Sequence, residues 1–124
     1  MTDLADLADI APIQVFDGIR ARRVLGGVKT LAVVELDPGA VVPEHRHAHE
    51  QNGMVITGQM TFTVGSEERA LGPGGTWRIL GGVTHTATAG PEGAVVIDVF
   101  SPIRSDWEDR PVLGLMAPVW PPRE

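Results

Sequence analysis

Gly39-Ala40-Val41-Val42-Pro43-Glu44-His45-Arg46-His47-Ala48-His49-Glu50-Gln51 places three of the chain's four histidines within five residues. On a strand, alternate side chains share a face and stand roughly 6.5–7 Å apart, so the imidazoles of His45 and His47 can converge on one ion. A strand returning through Ala48–Glu50 brings the next residue of the same parity, Gln51, to that point through its amide oxygen. His85 lies in a different hairpin, after a glycine-rich turn, and completes a set of three nitrogens and one oxygen with positions left for water or substrate. A lone histidine in a polar loop is most simply a surface residue. A pair at alternate positions together with His85 favours metal ligation, because imidazole is the commonest metal ligand among side chains. His49 falls in the turn, where an orienting or solvent-exposed role is expected. Glu50 competes with Gln51 as the stronger donor, and parity favours Gln51.

Outward from this segment, 15 glycines and 10 prolines punctuate 124 residues. The apolar stretches between them have the length of strands. Strands are expected near Ile13–Phe16, Arg20–Leu25, Thr30–Leu36, Val41–His47, Gly53–Thr57, Met60–Val64, Thr76–Leu80, His85–Ala89 and Ala94–Phe100. Turns are expected at Asp37–Gly39, Gly58-Gln59, Gly65-Ser66, Gly72–Gly75, Gly81-Gly82 and Gly90-Pro91. Many short, evenly spaced strands indicate a sandwich or small barrel. Residues 1–12 read as a short helix or an exchanged arm, and residues 105–124 as an apolar, proline-broken extension that packs over the barrel or a second subunit.

Hydrophobic residues make up 43% and charged residues 21%, the balance of a folded globular domain rather than a disordered chain. A net charge of −6 leaves no basic face for a phosphate backbone or an anionic membrane, so neither nucleic acid nor membrane is an expected partner. The absence of cysteine and tyrosine removes thiolate metal sites, cysteine nucleophiles and phenolic acids or bases. The N-terminus is acidic where a signal peptide is basic, which makes a cytoplasmic protein the expectation.

The motifs resemble those of the cupins. The first reads Gly39-x(5)-His45-x-His47-x(3)-Gln51-x(6)-Gly58, with Gln51 where many cupins carry Glu. The second reads Gly74-x(5)-Leu80-x-Gly82-x(2)-His85, with Leu80 in place of the usual Pro and Ala89 in place of the usual Asn. The resemblance implies an all-β fold, a double-stranded β-helix (jelly-roll) barrel. It also implies one cupin domain over residues 1–124, with the motifs at about 39–58 and 74–89 and one divalent ion on His45, His47, Gln51 and His85. Zinc, nickel, iron, manganese and cobalt all suit such a set.

One further segment bears on function. Val95-Val96-Ile97-Asp98-Val99-Phe100 is apolar enough to be buried yet carries Asp98, and a buried carboxylate needs a partner or a chemical role. Asp98 and Phe100 share a face, and Arg104 follows. The pattern Asp98-x-Phe100-x-Pro102-x-Arg104, with Gln51, is similar to the pectin-degradation cupins of the KdgF type, which linearise 4,5-unsaturated monouronates. That resemblance implies Asp98 as general acid/base, Arg104 as a clamp for the substrate carboxylate, and Phe100 as a pocket wall. The bland alternative is an internal Asp98–Arg104 ion pair.

Met54, Met60, Phe62 and Trp77 read as core or pocket lining, with Met54 and Phe62 the candidate walls near the ion. Trp107 and Trp120 are candidates to cover the barrel mouth. Arg20, Arg22 and Arg23 read as a solvated face or an anion site, and Glu67, Glu68 and Arg69 as a solvated hairpin tip. The expected function is metal-dependent proton transfer on a small carboxylated, sugar-like molecule by a homodimer. A transition-metal dioxygenase and a non-catalytic small-ligand binder are the alternatives.

Overall fold

In a computed structural model of the chain, residues 2–122 are described, leaving Met1, Arg123 and Glu124 outside. Eight strands form: β1 Ile13–Phe16, β2 Ile19–Leu25, β3 Thr30–Leu36, β4 Val41–His45, β5 Glu50–Val64, β6 Glu67–Leu71, β7 Thr76–Ile79 and β8 His85–Ser101. Single 3₁₀ turns occur at Leu7–Asp9 and Ser105–Trp107. No helix among the described residues is long and apolar enough to cross a membrane.

The expected turns at Gly58-Gln59 and Gly90-Pro91 are not chain reversals. Each lies inside a long strand, so four expected short strands are in fact β5 and β8. Their pairing slips between Val55 and Thr57 and again between Gly58 and Met60. Bulges of this kind bend a strand without ending it. Gly58 has φ +82°, and a Cβ there would fall 2.1 Å from the Gly93 carbonyl oxygen, so only glycine permits the bend.

The bends let β5 and β8 each serve two layers. Residues 50–55 of β5 lie between β7 and the second half of β8, which continues into β3, β2 and β1. Residues 60–64 lie between β6 and the first half of β8, which pairs with β4. The core fills the space between these layers, with Ala21, Ala32, Val55, Met60 and Ile79 almost fully buried.

This is jelly-roll topology, but the expected closure into a barrel does not occur. The main hydrogen-bonded path runs β1-β2-β3-β8-β5-β6, with β4 and β7 as branches, and its two ends do not meet. The outer edge of β1 is taken by the C-terminal segment instead. Gln14 N donates to Pro111 O at 2.9 Å and Leu113 N to Pro12 O at 2.8 Å. At the other end, β6 exposes Glu67, Glu68 and Arg69, charges that keep an edge strand from pairing further. Those three residues are therefore strand, and the reversal before them is Gly65-Ser66.

Arg22 is on neither a solvated face nor an anion site. It is 1% exposed, bonded to Glu35 Oε2 at 2.8 Å and to the Met116 carbonyl at 2.8 Å. Glu35 Oε2 also accepts from Val119 N at 2.7 Å, so this ion pair fastens the C-terminal segment across the outside of β2 and β3. Arg20 bonds Glu35 and Asp37 on the same side.

Candidate metal centre

His45 ends β4 and His85 begins β8, and the two are direct partners in the β4–β8 register. His47 lies in the following loop, held because its carbonyl accepts from Gly82 N at 2.8 Å. A Cβ on Gly81 would fall 2.5 Å from Ala48 O, so the glycine turn is what lets this loop approach the start of β8. The ring centroids are 4.2 Å apart for His45–His85, 4.9 Å for His47–His85 and 5.3 Å for His45–His47. One nitrogen from each ring lies within 4.8 Å of the others.

The tautomers follow from the hydrogen bonds. Nδ1 of His45, His47 and His85 donates to the carbonyls of Pro43, His49 and Val83, at 2.7, 3.0 and 2.8 Å. Each Nε2 then carries a lone pair. Nε2 of His47 and of His85 is buried without a hydrogen-bond partner, a condition that an ion relieves. Burial, then the positive charge of Arg104, lowers the His47 pKa to about 4. Burial likewise lowers that of His85. Both rings stay neutral and able to ligate at ordinary pH. The donor set fits a divalent ion.

Gln51 is 7% exposed on the inward face of β5. Its Nε2 donates to Asp98 Oδ1 at 2.9 Å, which leaves Oε1 as the atom able to join the three imidazoles. Asp98, also 7% exposed, accepts a second bond on the same oxygen from Trp77 Nε1 at 2.7 Å. Burial raises its pKa to about 6, against the opposing pull of those two hydrogen bonds and the charge of Arg104. Asp98 and Arg104 are not an ion pair.

Arg104 pairs instead with Asp106, through Nε at 3.0 Å and Nη2 at 2.8 Å. Its guanidinium sits in the corner made by the Phe100 and Trp107 rings, 4.6 and 4.4 Å from their centroids, and the two rings themselves meet edge to face at 5.1 Å. The Arg104 hydrogen bonds hold the Asp106 carboxyl below its ordinary range. His49 is not a member of the cluster. Its Nε2 bonds the Ile103 carbonyl at 3.1 Å and so ties the 103–107 segment to the histidine loop.

These groups line one cavity of about 340 Å³, within the range of small-molecule sites. It brings together His45, His47, His85, Gln51, Asp98, Phe62, Phe100 and Arg104. Met54 is not among them. It is 39% exposed, because the parity that turns Gln51 and Val55 inward turns Met54 outward. Trp120 is half-buried and lies away from the cavity lining, while Trp107 is buried at the cavity. Arg46, Asp106 and Arg110 also line the cavity and were not singled out from the sequence. Only the position of Arg46 between two candidate ligands offered a signal.

The sequence pattern of the cupin domain family matches residues 32–100. The pectin degradation protein KdgF of Dickeya dadantii (strain 3937) is 30% identical over 93 residues, 73% of this chain and 84% of that protein. The structure of KdgF from Halomonas sp. superposes with a TM-score of 0.78 at 30% identity, covering 86% of this chain and 98% of the other. An RmlC-like cupin from Shewanella frigidimarina NCIMB 400 superposes with a TM-score of 0.80 at 23% identity, covering 86% and 96%, a likeness of fold.

Proposed function

The chain belongs to the cupin family, closely related to its pectin-degradation KdgF proteins, and from that premise we propose a metal-dependent enzyme that converts unsaturated uronates to their linear keto form by proton transfer. The observation that carries this reading is the buried Asp98 carboxyl, fixed by Gln51 and Trp77 beside three imidazoles whose free nitrogens converge.

A 4,5-unsaturated uronate ring is an enol ether closed as a hemiacetal. Opening it breaks the bond from C1 to the ring oxygen, frees the proton of the C1 hydroxyl and leaves negative charge on the former ring oxygen. Delivery of a proton to C4 gives the ketone, so the net change moves one proton and is an isomerisation. Asp98 is suited to both transfers. With a pKa of about 6, its carboxylate and acid forms are both accessible near neutrality, the condition for general acid–base work. Oδ1 is committed to Gln51 and Trp77, which leaves Oδ2 as the atom that takes and returns the proton.

Arg104 receives the substrate carboxylate. Its Nε–Nη2 edge is held by Asp106 and it packs in the corner of two aromatic rings, so the remaining N–H groups form a fixed donor edge. Phe100 and Phe62 wall the cavity and exclude water. A divalent ion on His45, His47, His85 and Gln51 supplies Lewis acidity toward substrate oxygens. Exposed Val112, Leu115 and Val119 offer apolar surface that a second copy of the chain would cover, which supports a homodimer.

The test is loss of ultraviolet absorbance from an unsaturated uronate, followed for the metal-loaded wild type and Asp98→Asn. Turnover by the wild type alone, with equal metal content and folding in both, is the expected result. Full activity in Asp98→Asn would remove Asp98 from the chemistry.

A further inference from the structure

Arg104 is one of three guanidiniums at this cavity. Its charge is already met by Asp106. The other two, on Arg46 and Arg110, form no ion pair among the described residues. Arg110 is half-buried and fixed: Nη1 donates to the Val15 carbonyl at 2.9 Å, and the guanidinium lies over the Phe16 ring, 5.5 Å from its centroid. Phe16 abuts His45 at 6.2 Å. Arg104 repeats this arrangement on the other flank, resting on Phe100, which abuts His47 at 6.1 Å. Each guanidinium is thus stacked on a phenylalanine beside a different histidine of the cluster. Arg46, between His45 and His47, adds a second uncommitted charge. In a chain of net charge −6, unneutralised guanidiniums facing a cavity mark a place for an anion.

We infer that Arg110 and Arg46 form a second anion subsite, across the histidine cluster from Arg104, and that the cavity favours sugar acids bearing two acidic groups over those bearing one. This rests on the reading of Arg104 as the holder of a substrate carboxylate. A six-carbon sugar acid with a carboxylate at each end can engage both flanks at once, whereas a monocarboxylate engages one.

The experiment is calorimetric binding of gluconate and glucarate, which share a carbon chain and differ in the second carboxylate, to the zinc-loaded full chain. The wild type is expected to bind glucarate about tenfold more tightly, the gain of one partly buried charge-assisted contact. Arg110→Met should erase that preference while leaving gluconate affinity within about twofold. Arg46→Met, on an exposed loop, should reduce it, and Arg104→Met should weaken both acids. Should Arg110→Met loosen the fold through its lost bond to Val15, Arg110→Lys keeps charge and donor and should retain the preference. Equal affinity of the wild type for the two acids overturns the second subsite alone, as does a preference that survives in Arg110→Met. Failure of the zinc-loaded wild type to bind either acid overturns the Arg104 reading and the subsite with it.

Discussion

The indole N–H of Trp77 donates to Asp98 Oδ1 at 2.7 Å across Gly53, which pairs with Trp77 on one side and Asp98 on the other. A Cβ at Gly53 would lie 2.3 Å from the indole ring. The missing side chain is therefore the space through which a residue of β7 reaches a carboxyl on β8. The stacking of Phe62 on the same indole, with centroids 4.3 Å apart, fixes its plane from the opposite layer.

Trp77→Phe keeps the ring that packs on Phe62 and removes the N–H. The bond favours the ionised carboxylate, so its loss raises the Asp98 pKa from about 6 by about one to two units. The acidic limb of the pH–rate profile should move up by the same amount, with activity partly recovered at high pH. An unmoved limb would show that Asp98 is not the group titrating.

Asp106→Asn tests what holds Arg104. The guanidinium loses its charged partner on the Nε–Nη2 edge but keeps its contacts with the Phe100 and Trp107 rings. Asp106 is about half exposed, so solvent screening limits the effect. KM should rise about three- to tenfold with kcat within about twofold, and Asp106→Glu should restore part of the loss. A fall in kcat at constant KM would place Asp106 in the chemistry rather than in binding.

Alternation made much of this site legible in the sequence. It turned His45, Gln51, Asp98 and Phe100 inward and, applied consistently, also turns Met54 away. Closure was not legible, because nothing in the strand pattern shows that Pro111–Leu113 takes the edge of β1. Nor does a glycine announce whether it reverses the chain or only bends it. Gly58 and Gly65 both adopt positive φ, and only the long-range approach of Gly93 distinguishes the bend from the turn. The partner of Arg104 was equally hidden, since the chain gives no reason to prefer Asp106 over Asp98 until the 3₁₀ turn at Ser105–Trp107 sets the geometry.

Gly53→Ala should displace the Trp77 ring and break its bond to Asp98 from a position that touches no substrate. Overpacking of this kind costs about 1–3 kcal/mol of stability, seen as a lowered denaturation midpoint. The pH–rate limb should shift upward as in Trp77→Phe. Adding Gly53→Ala to Trp77→Phe should then move the limb no further, because the bond is already gone.

The pH dependence of stability in the metal-free chain contains opposed terms, with His47 and His85, both lowered by burial, acting against Asp98. His47 is depressed to about 4, so the folded state holds fewer protons than the unfolded one between about 4 and 6.5. That contribution is present above pH 6.5 and lost as the pH falls through 4. Asp98 is raised from 3.8 to about 6, so its contribution is present below 3.8 and lost as the pH rises through 6. Over the shared window Asp98 offsets His47, and the lowered His85 leaves metal-free stability rising with pH between 4 and 6. Asp98→Asn removes the opposing term and should steepen that rise with pH, measured by urea denaturation. A bound ion changes the balance, since it needs all three imidazoles neutral. At a free concentration about a hundred times Kd it should add about 2.7 kcal/mol near pH 7, and that gain should vanish as the pH approaches 4. Replacement of His85 by alanine should abolish the metal-dependent gain at every pH.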